Sequence, residues 1–125
     1  MRLLLDTHVF LWWLAGGRDL THTVREALAS ASNTLLFSVA SVWEMHIKHA
    51  KGRLTVLEAL ETVLWAEGIP LLGITIAHAR DAAGLPTHHR DPFDRMLIAQ
   101  AQREGLMIVT HDTLFRPYGV PILWT

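Results

Sequence analysis

The run Arg2-Leu-Leu-Leu-Asp-Thr-His8 decides how this 125-residue chain is read. Arg2–Leu5 is a short apolar run of the kind that forms a strand buried in a parallel sheet. Asp6 stands directly at its end, and the apolar stretch from about His8 to Ala15 reads as a helix ended by Gly16-Gly17. Met107-Ile-Val-Thr-His-Asp112 has the same build, a short apolar strand over Met107–Val109 with an acid just beyond it.

Between these two segments, strands and helices alternate. Thr23-Val-Arg-Glu26 is a capping-box pattern opening a helix through about Ala31, and Thr34–Phe37 is a second strand. Ser41-Val-Trp-Glu44 is another such box, with a helix running to about Lys51 before Gly52. Thr55 caps a helix through about Glu67, stopped by Gly68 and Pro70. Leu71-Leu72 is a brief strand, Thr75 to Ala83 a short helix, and Leu85–Arg90 a histidine-rich loop. Asp91-Pro92 starts a helix, with Asp as N-cap and Pro at the first helical position. Leu97, Ile98 and Ala101 form its apolar face and Gly105 closes it. Ile122–Trp124 is the last strand. This alternation predicts an α/β fold, a three-layer α/β/α sandwich with a central parallel sheet, in one domain over residues 1–125.

Composition narrows the function classes. Half of the residues are hydrophobic and 18% are charged, with mean hydropathy +0.25, so the chain has the apolar surface to offset its ordering entropy and is not disordered. The absence of cysteine removes disulfide scaffolds, thiolate zinc sites and thiol nucleophiles together. No apolar run approaches the roughly 18 residues of a membrane span. The N-terminal segment loosely imitates a signal peptide, but Asp6 and His8 interrupt it, so a cytoplasmic protein is expected.

In open parallel sheets, sites form at the carboxyl ends of the strands. Asp6 and Asp112 each follow a strand, while Glu44 and Asp94 fall in the first turns of helices. Each acid has a local reading of its own. Glu44 fits the third position of its capping box, Asp91 an N-cap, Asp94 an acidic partner to that cap, and Asp112 a turn. Asp6 is the hardest to explain locally, because an acid beside a buried strand needs a partner. Taken together, the four converge as a site. Clustered carboxylates raise one another's pKa unless a cation neutralises them, and hard oxygen donors suit Mg²⁺ or Mn²⁺ better than Zn²⁺.

On these residues the chain resembles the PIN-domain ribonucleases, especially the VapC-type toxins of prokaryotic toxin–antitoxin pairs. The resemblance rests on Leu4-Leu-Asp-Thr-His-Val-Phe-Leu-Trp-Trp13, Ser38-Val-Ala-Ser-Val-Trp-Glu44, His89-Arg-Asp-Pro-Phe-Asp-Arg-Met-Leu-Ile-Ala-Gln-Ala101 and Ile108-Val-Thr-His-Asp-Thr-Leu-Phe115. It spans nearly the whole chain, and the ordered set of segments is more specific than any one of them. It implies an α/β/α sandwich, Mg²⁺- or Mn²⁺-dependent RNA hydrolysis, homodimers whose grooves take an antitoxin segment, and inhibition by that cognate antitoxin. It places the family's acidic quartet on Asp6, Glu44, Asp94 and Asp112. Thr110 stands at the family's small hydroxyl position, where it would orient water or a carboxylate. Asp91 is an additional acid, read as the cap of the helix that presents Asp94.

The other side chains are read around that core. Eight histidines invite a zinc hypothesis, yet none shows the His-x-x-x-His spacing of a helical site. His88, His89 and Arg90 precede the acidic helix and are candidates to meet RNA phosphate, as is Lys48 with Lys51 and Arg53. Arg95 either pairs with an acid or holds substrate. Trp12 and Trp13 diverge by about 100° on one helix, so one of them points to an interface. Trp43 and Trp65 read as core or groove residues.

Two rival functions remain at this stage. One is a catalytically silent RNA-binding or regulatory module of the same fold, which the complete quartet opposes. The other is a phosphatase with Asp6 as nucleophile, but Asp6-Thr-His8 lacks a second Asp two residues on. The net charge of −1 does not argue against nucleic acid. Removing four site acids from twelve leaves eight against eleven basic residues, a formal +3 around a negative pocket.

Overall fold

A computed structural model describes residues 1–52 and 60–125, and the expectations for Arg53 and the Thr55 cap lie outside them. Five strands form one parallel sheet: β1 (Arg2–Leu5), β2 (Thr34–Ser38), β3 (Leu71–Leu72), β4 (Met107–Thr110) and β5 (Ile122–Trp124). Their spatial order is β3-β2-β1-β4-β5. The register pairs Leu4 with Leu36 on one side and with Ile108 on the other. β1 is therefore the central strand, and the chain turns one way to β2 and β3 before crossing back to β4 and β5. That reversal opens a crevice at the carboxyl ends of β1 and β4, where open α/β sheets hold their sites.

Strand residues alternate between two cores. Leu3 and Leu5 of β1, Leu35 and Phe37 of β2 and Val109 of β4 face one side. There they meet Val9 and Phe10 of α1 (Thr7–Leu14), Val24 and Leu28 of α2 (His22–Ala29), Met45 of α3 (Val39–Ala50), and Leu60 and Leu64 of α4 (Leu60–Ala66). Leu4 and Ile108 face the other side, against Leu97, Ile98 and Ala101 of α6 (Pro92–Glu104) and Phe115 of a 3₁₀ helix (Thr113–Tyr118). α5 (Ile76–Gly84) packs on α6. Helices on both faces explain why β1 carries three fully buried leucines, each stabilising the fold by about 2 kcal/mol. The sandwich expected from the sequence is the architecture found.

Two capping assignments move. The N-cap of α2 is Thr21, whose Oγ1 accepts from the Val24 backbone N–H at 3.3 Å, and the helix ends at Ala29 rather than about Ala31. The N-cap of α3 is Ser38, whose Oγ accepts from the Ala40 N–H, so Ser41 is interior and fully enclosed. Glu44 is consequently the sixth residue of α3 and no part of a capping box. In each case the hydroxyl that stands where the preceding segment ends, a loop before α2 and strand β2 before α3, takes the cap. Asp91 caps α6 through Phe93 N–H at 2.8 Å and Asp94 N–H at 3.3 Å. Gly105 closes that helix in the left-handed region at φ 65°, which favours glycine and lets the chain enter β4 two residues later.

Of the core and groove readings for Trp43 and Trp65, the structure takes the groove: they are 61% and 87% exposed and each lines a surface pocket. Trp12 and Trp13 are both half-buried at the edge of the first core.

The cap reassignment is open to measurement by urea unfolding. Thr21→Ala should cost about 1 kcal/mol, whereas Thr23→Ala, at an exposed position, should stay within about 0.5 kcal/mol.

Candidate active site

Asp6 links β1 to α1. Its backbone N–H extends the sheet ladder to the Val109 carbonyl at 3.0 Å, and its own carbonyl accepts from Phe10 N–H at 3.1 Å. With the main chain held on both sides, ψ is 149° and the residue occupies the N-cap position of α1. Its side chain makes no cap bond. Instead Oδ2 accepts from Thr110 Oγ1 at 2.6 Å, across the β1–β4 crevice. The Thr110 hydroxyl accepts in turn from the Asp112 backbone N–H at 3.0 Å. One threonine at the end of β4 therefore fixes two of the acids.

Glu44 reaches the same place from α3. Its carboxylate is buried and held at both oxygens, Oε1 by Thr7 Oγ1 at 2.7 Å and Oε2 by Lys48 Nζ at 2.9 Å. Asp94 is the third residue of α6, presented by the cap that Asp91 provides. Asp112 caps the 3₁₀ helix through Oδ1, which accepts from Leu114 N–H at 2.9 Å, and turns Oδ2 inward. A cavity of about 380 Å³ is lined by all four acids together with Asp91, Lys48, His8 and His111.

Crowding dominates the electrostatics. Burial, and then the charges of Asp6, Asp91, Glu44 and Asp112, push the Asp94 carboxyl from 3.8 up to about 8. Asp6 is raised as well, chiefly by burial, with the Thr110 hydrogen bond opposing the shift and Glu44 adding to it. Among the described residues, Lys48 is the one lysine or arginine in a salt bridge with the quartet, and it serves Glu44 alone. The site thus collects hard carboxylate oxygens with too little positive charge to balance them. That donor set fits a divalent cation such as Mg²⁺ or Mn²⁺.

The remaining sequence candidates separate into two groups. His88 and Arg90 are exposed near the helix that carries Asp94. His89 is buried rather than at the rim: Nε2 lies 3.1 Å from Asp94 Oδ2 and 2.9 Å from Asp112 Oδ2. Among the described residues Arg95 pairs with no acid. Its guanidinium donates to the carbonyls of Pro86, His89, Ala82 and Leu85, at 2.9–3.1 Å, and so staples the loop before α6. Sequence reading missed Thr7 as the partner of Glu44, and also His8 and His111 at the cavity wall, because these contacts join segments far apart in the chain.

Comparison with known proteins agrees with this geometry. The PIN domain family model matches residues 3–120. Ribonuclease VapC22 of Mycobacterium tuberculosis is 29% identical over an alignment 123 residues long that covers 95% of this chain and 93% of that protein. The structure of VapBC2 from Rickettsia felis bound to a DNA fragment from its promoter superposes with a TM-score of 0.71 at 16% identity, covering 98% of both chains. DNA-bound VapBC from Salmonella typhimurium gives a TM-score of 0.69 at 18% identity, covering 98% of this chain and 97% of that one. The two structural likenesses are of fold.

The raised Asp94 carboxyl has a thermodynamic signature. Without metal, the folded protein keeps a proton there up to about pH 8, while the unfolded chain releases it near 3.8. The folded state binds more protons across that window, so its contribution to stability is lost as pH rises from about 4 to about 8. Asp94→Asn should flatten this slope and stabilise the metal-free protein at pH 8 by on the order of 2 kcal/mol, the open cleft screening part of the full shift. Urea unfolding at pH 5 and pH 8 reads both effects; parallel pH profiles for parent and variant would refute the assignment.

Proposed function

The chain belongs to the PIN domain family, and on that footing we propose that it is a metal-dependent endoribonuclease, the toxin of a toxin–antitoxin pair. The observation that carries this reading is the convergence of Asp6, Glu44, Asp94 and Asp112 on one cavity at the carboxyl ends of β1 and β4. The similarity to a named ribonuclease along almost the full chain supports RNA as the substrate class.

Asp6, Glu44, Asp94 and Asp112 would hold Mg²⁺ or Mn²⁺. When bound, such a cation supplies neutralisation of the carboxylates, Lewis-acid activation of the phosphodiester and a lowered pKa for the hydrolytic water. The chain's own groups prepare that chemistry. Thr110 and Thr7 donate to Asp6 and Glu44 and fix the direction of their lone pairs, at no cost in added charge. Lys48 holds the second oxygen of Glu44 and brings an ammonium to the cavity wall. His88 and Arg90, exposed just before the helix that carries Asp94, are the side chains we assign to substrate phosphates. We read residues 1–125 as one such domain, acting on RNA in the cytoplasm.

An antitoxin partner and a homodimer complete the proposal. The structural neighbours are toxin–antitoxin complexes, some of them on DNA. Exposed apolar side chains support partners here: Trp65 beside Ile69 and Pro70, and Trp43 packed edge-on against Phe93 at 5.2 Å. Aromatic side chains of this kind are enriched at binding hot spots.

Purified protein incubated with a pool of cellular RNAs should cleave it with Mg²⁺ or Mn²⁺ and fail to do so in EDTA. Asp6→Asn and Asp94→Asn should each lower the rate about 100-fold or more, the scale of removing one electrostatic group from a charge-developing site. Cleavage by either variant at the parent rate would overturn the site.

A further inference from the structure

His89 sits where a second cation would otherwise be wanted, between Asp94 and Asp112. Its Nε2 and one oxygen of each acid are close enough together to surround a metal ion, which makes a ligand role geometrically available. The hydrogen bonding around the ring points away from that role. Nδ1 accepts from the Asp91 backbone N–H at 3.3 Å, so it carries no proton of its own. The proton of a neutral imidazole is then on Nε2, and Nε2 is a donor. Its two neighbours are both carboxylate oxygens, at 2.9 and 3.1 Å. A metal on Nε2 would require the proton to move to Nδ1, where it would point at the Asp91 N–H.

The backbone on both sides of the ring, and one face of the ring itself, are held as well. The His89 backbone N–H donates to Tyr118 Oη at 2.7 Å, and that hydroxyl donates to the Pro86 carbonyl at 2.6 Å. The His89 carbonyl accepts from Arg95 at 3.1 Å. Phe115 packs edge-on against the imidazole with centroids 5.4 Å apart. A side chain fixed this firmly, with its one mobile proton aimed at two acids on different elements, sets the distance between α6 and the end of β4 at the cleft.

We propose that His89 is a positioning residue whose Nε2–H holds the Asp94 and Asp112 carboxylates in register for a divalent cation, and that it is not itself a ligand of that cation. The inference rests on the metal-site reading above, and its test separates the two. In the metal-free protein, long-range ¹H–¹⁵N spectra should show His89 as the Nε2–H tautomer, the signal identified by its loss in His89→Gln. Addition of Mg²⁺ should leave that tautomer in place. An Nδ1–H tautomer in either state would overturn the proposal.

Mn²⁺ binding followed by electron paramagnetic resonance supplies the second arm. Glutamine places an amide N–H near the position of Nε2, so His89→Gln should bind Mn²⁺ within about threefold of the parent. His89→Ala should bind about 10-fold or more weakly, the usual scale for removing a group that orients a metal ligand. Equal weakening in both variants, or none in His89→Ala, would overturn the positioning role. If the parent itself bound no Mn²⁺, the metal-site reading would fall, and with it the role toward a cation.

Discussion

Mutual repulsion among four carboxylates in one cleft is the constraint around which the rest of this structure is arranged. Left to itself, such a cluster would spread apart or take up protons, and the Asp94 carboxyl is pushed up to about 8 by burial first and by the charges of its acidic neighbours second. The fold resists it by fixing the backbone of each acid independently of the others. Asp6 is locked between a sheet ladder and a helix, Glu44 rides on α3, Asp94 on the capped start of α6, and Asp112 on the cap of a 3₁₀ helix. No acid is placed by a flexible connection.

Neutral donors do much of the remaining work. Thr110, Thr7 and His89 each direct an O–H or N–H at a carboxylate oxygen, which orders the lone pairs without cancelling the charge. Lys48 is the exception, and it is confined to one oxygen of Glu44. A set of lysines or arginines would have relieved the repulsion more completely and would have left nothing for a cation to do. The cleft stays underneutralised, which suits hard oxygen coordination and, in turn, phosphate chemistry.

Local sequence rules failed at the points where tertiary structure offered something better. Thr23 and Ser41 both fit capping boxes, yet Thr21 and Ser38 are the caps, because they are the hydroxyls that stand where the strand and loop end. His89 reads as a surface histidine in a polar loop, and it is buried because Arg95 ties three carbonyls of that loop to one of α5 while the loop packs against Tyr118 and Phe115. Arg95 itself, beside Asp94 in sequence, looks like an acid's partner. On a helix, neighbours in sequence point about 100° apart, so its guanidinium leaves the cleft and turns to the loop.

The sequence by itself determined the α/β alternation, the buried parallel strands and the ends of elements at which Asp6, Asp94 and Asp112 stand, since those depend on periodicity and local end signals that neighbouring residues carry, whereas Glu44 lies inside α3. Asp91 as the cap of α6 was legible for the same reason. Only the tertiary structure decided which groups hold the acids in place: Thr7 on Glu44, Thr110 on Asp6, and His89 between Asp94 and Asp112. Those pairs span from 5 to 104 residues, and the longest-range ones exist because β1 and β4 are neighbours in the sheet. Periodicity can place a side chain on one face of its own element, but what it meets there depends on which elements pack beside it.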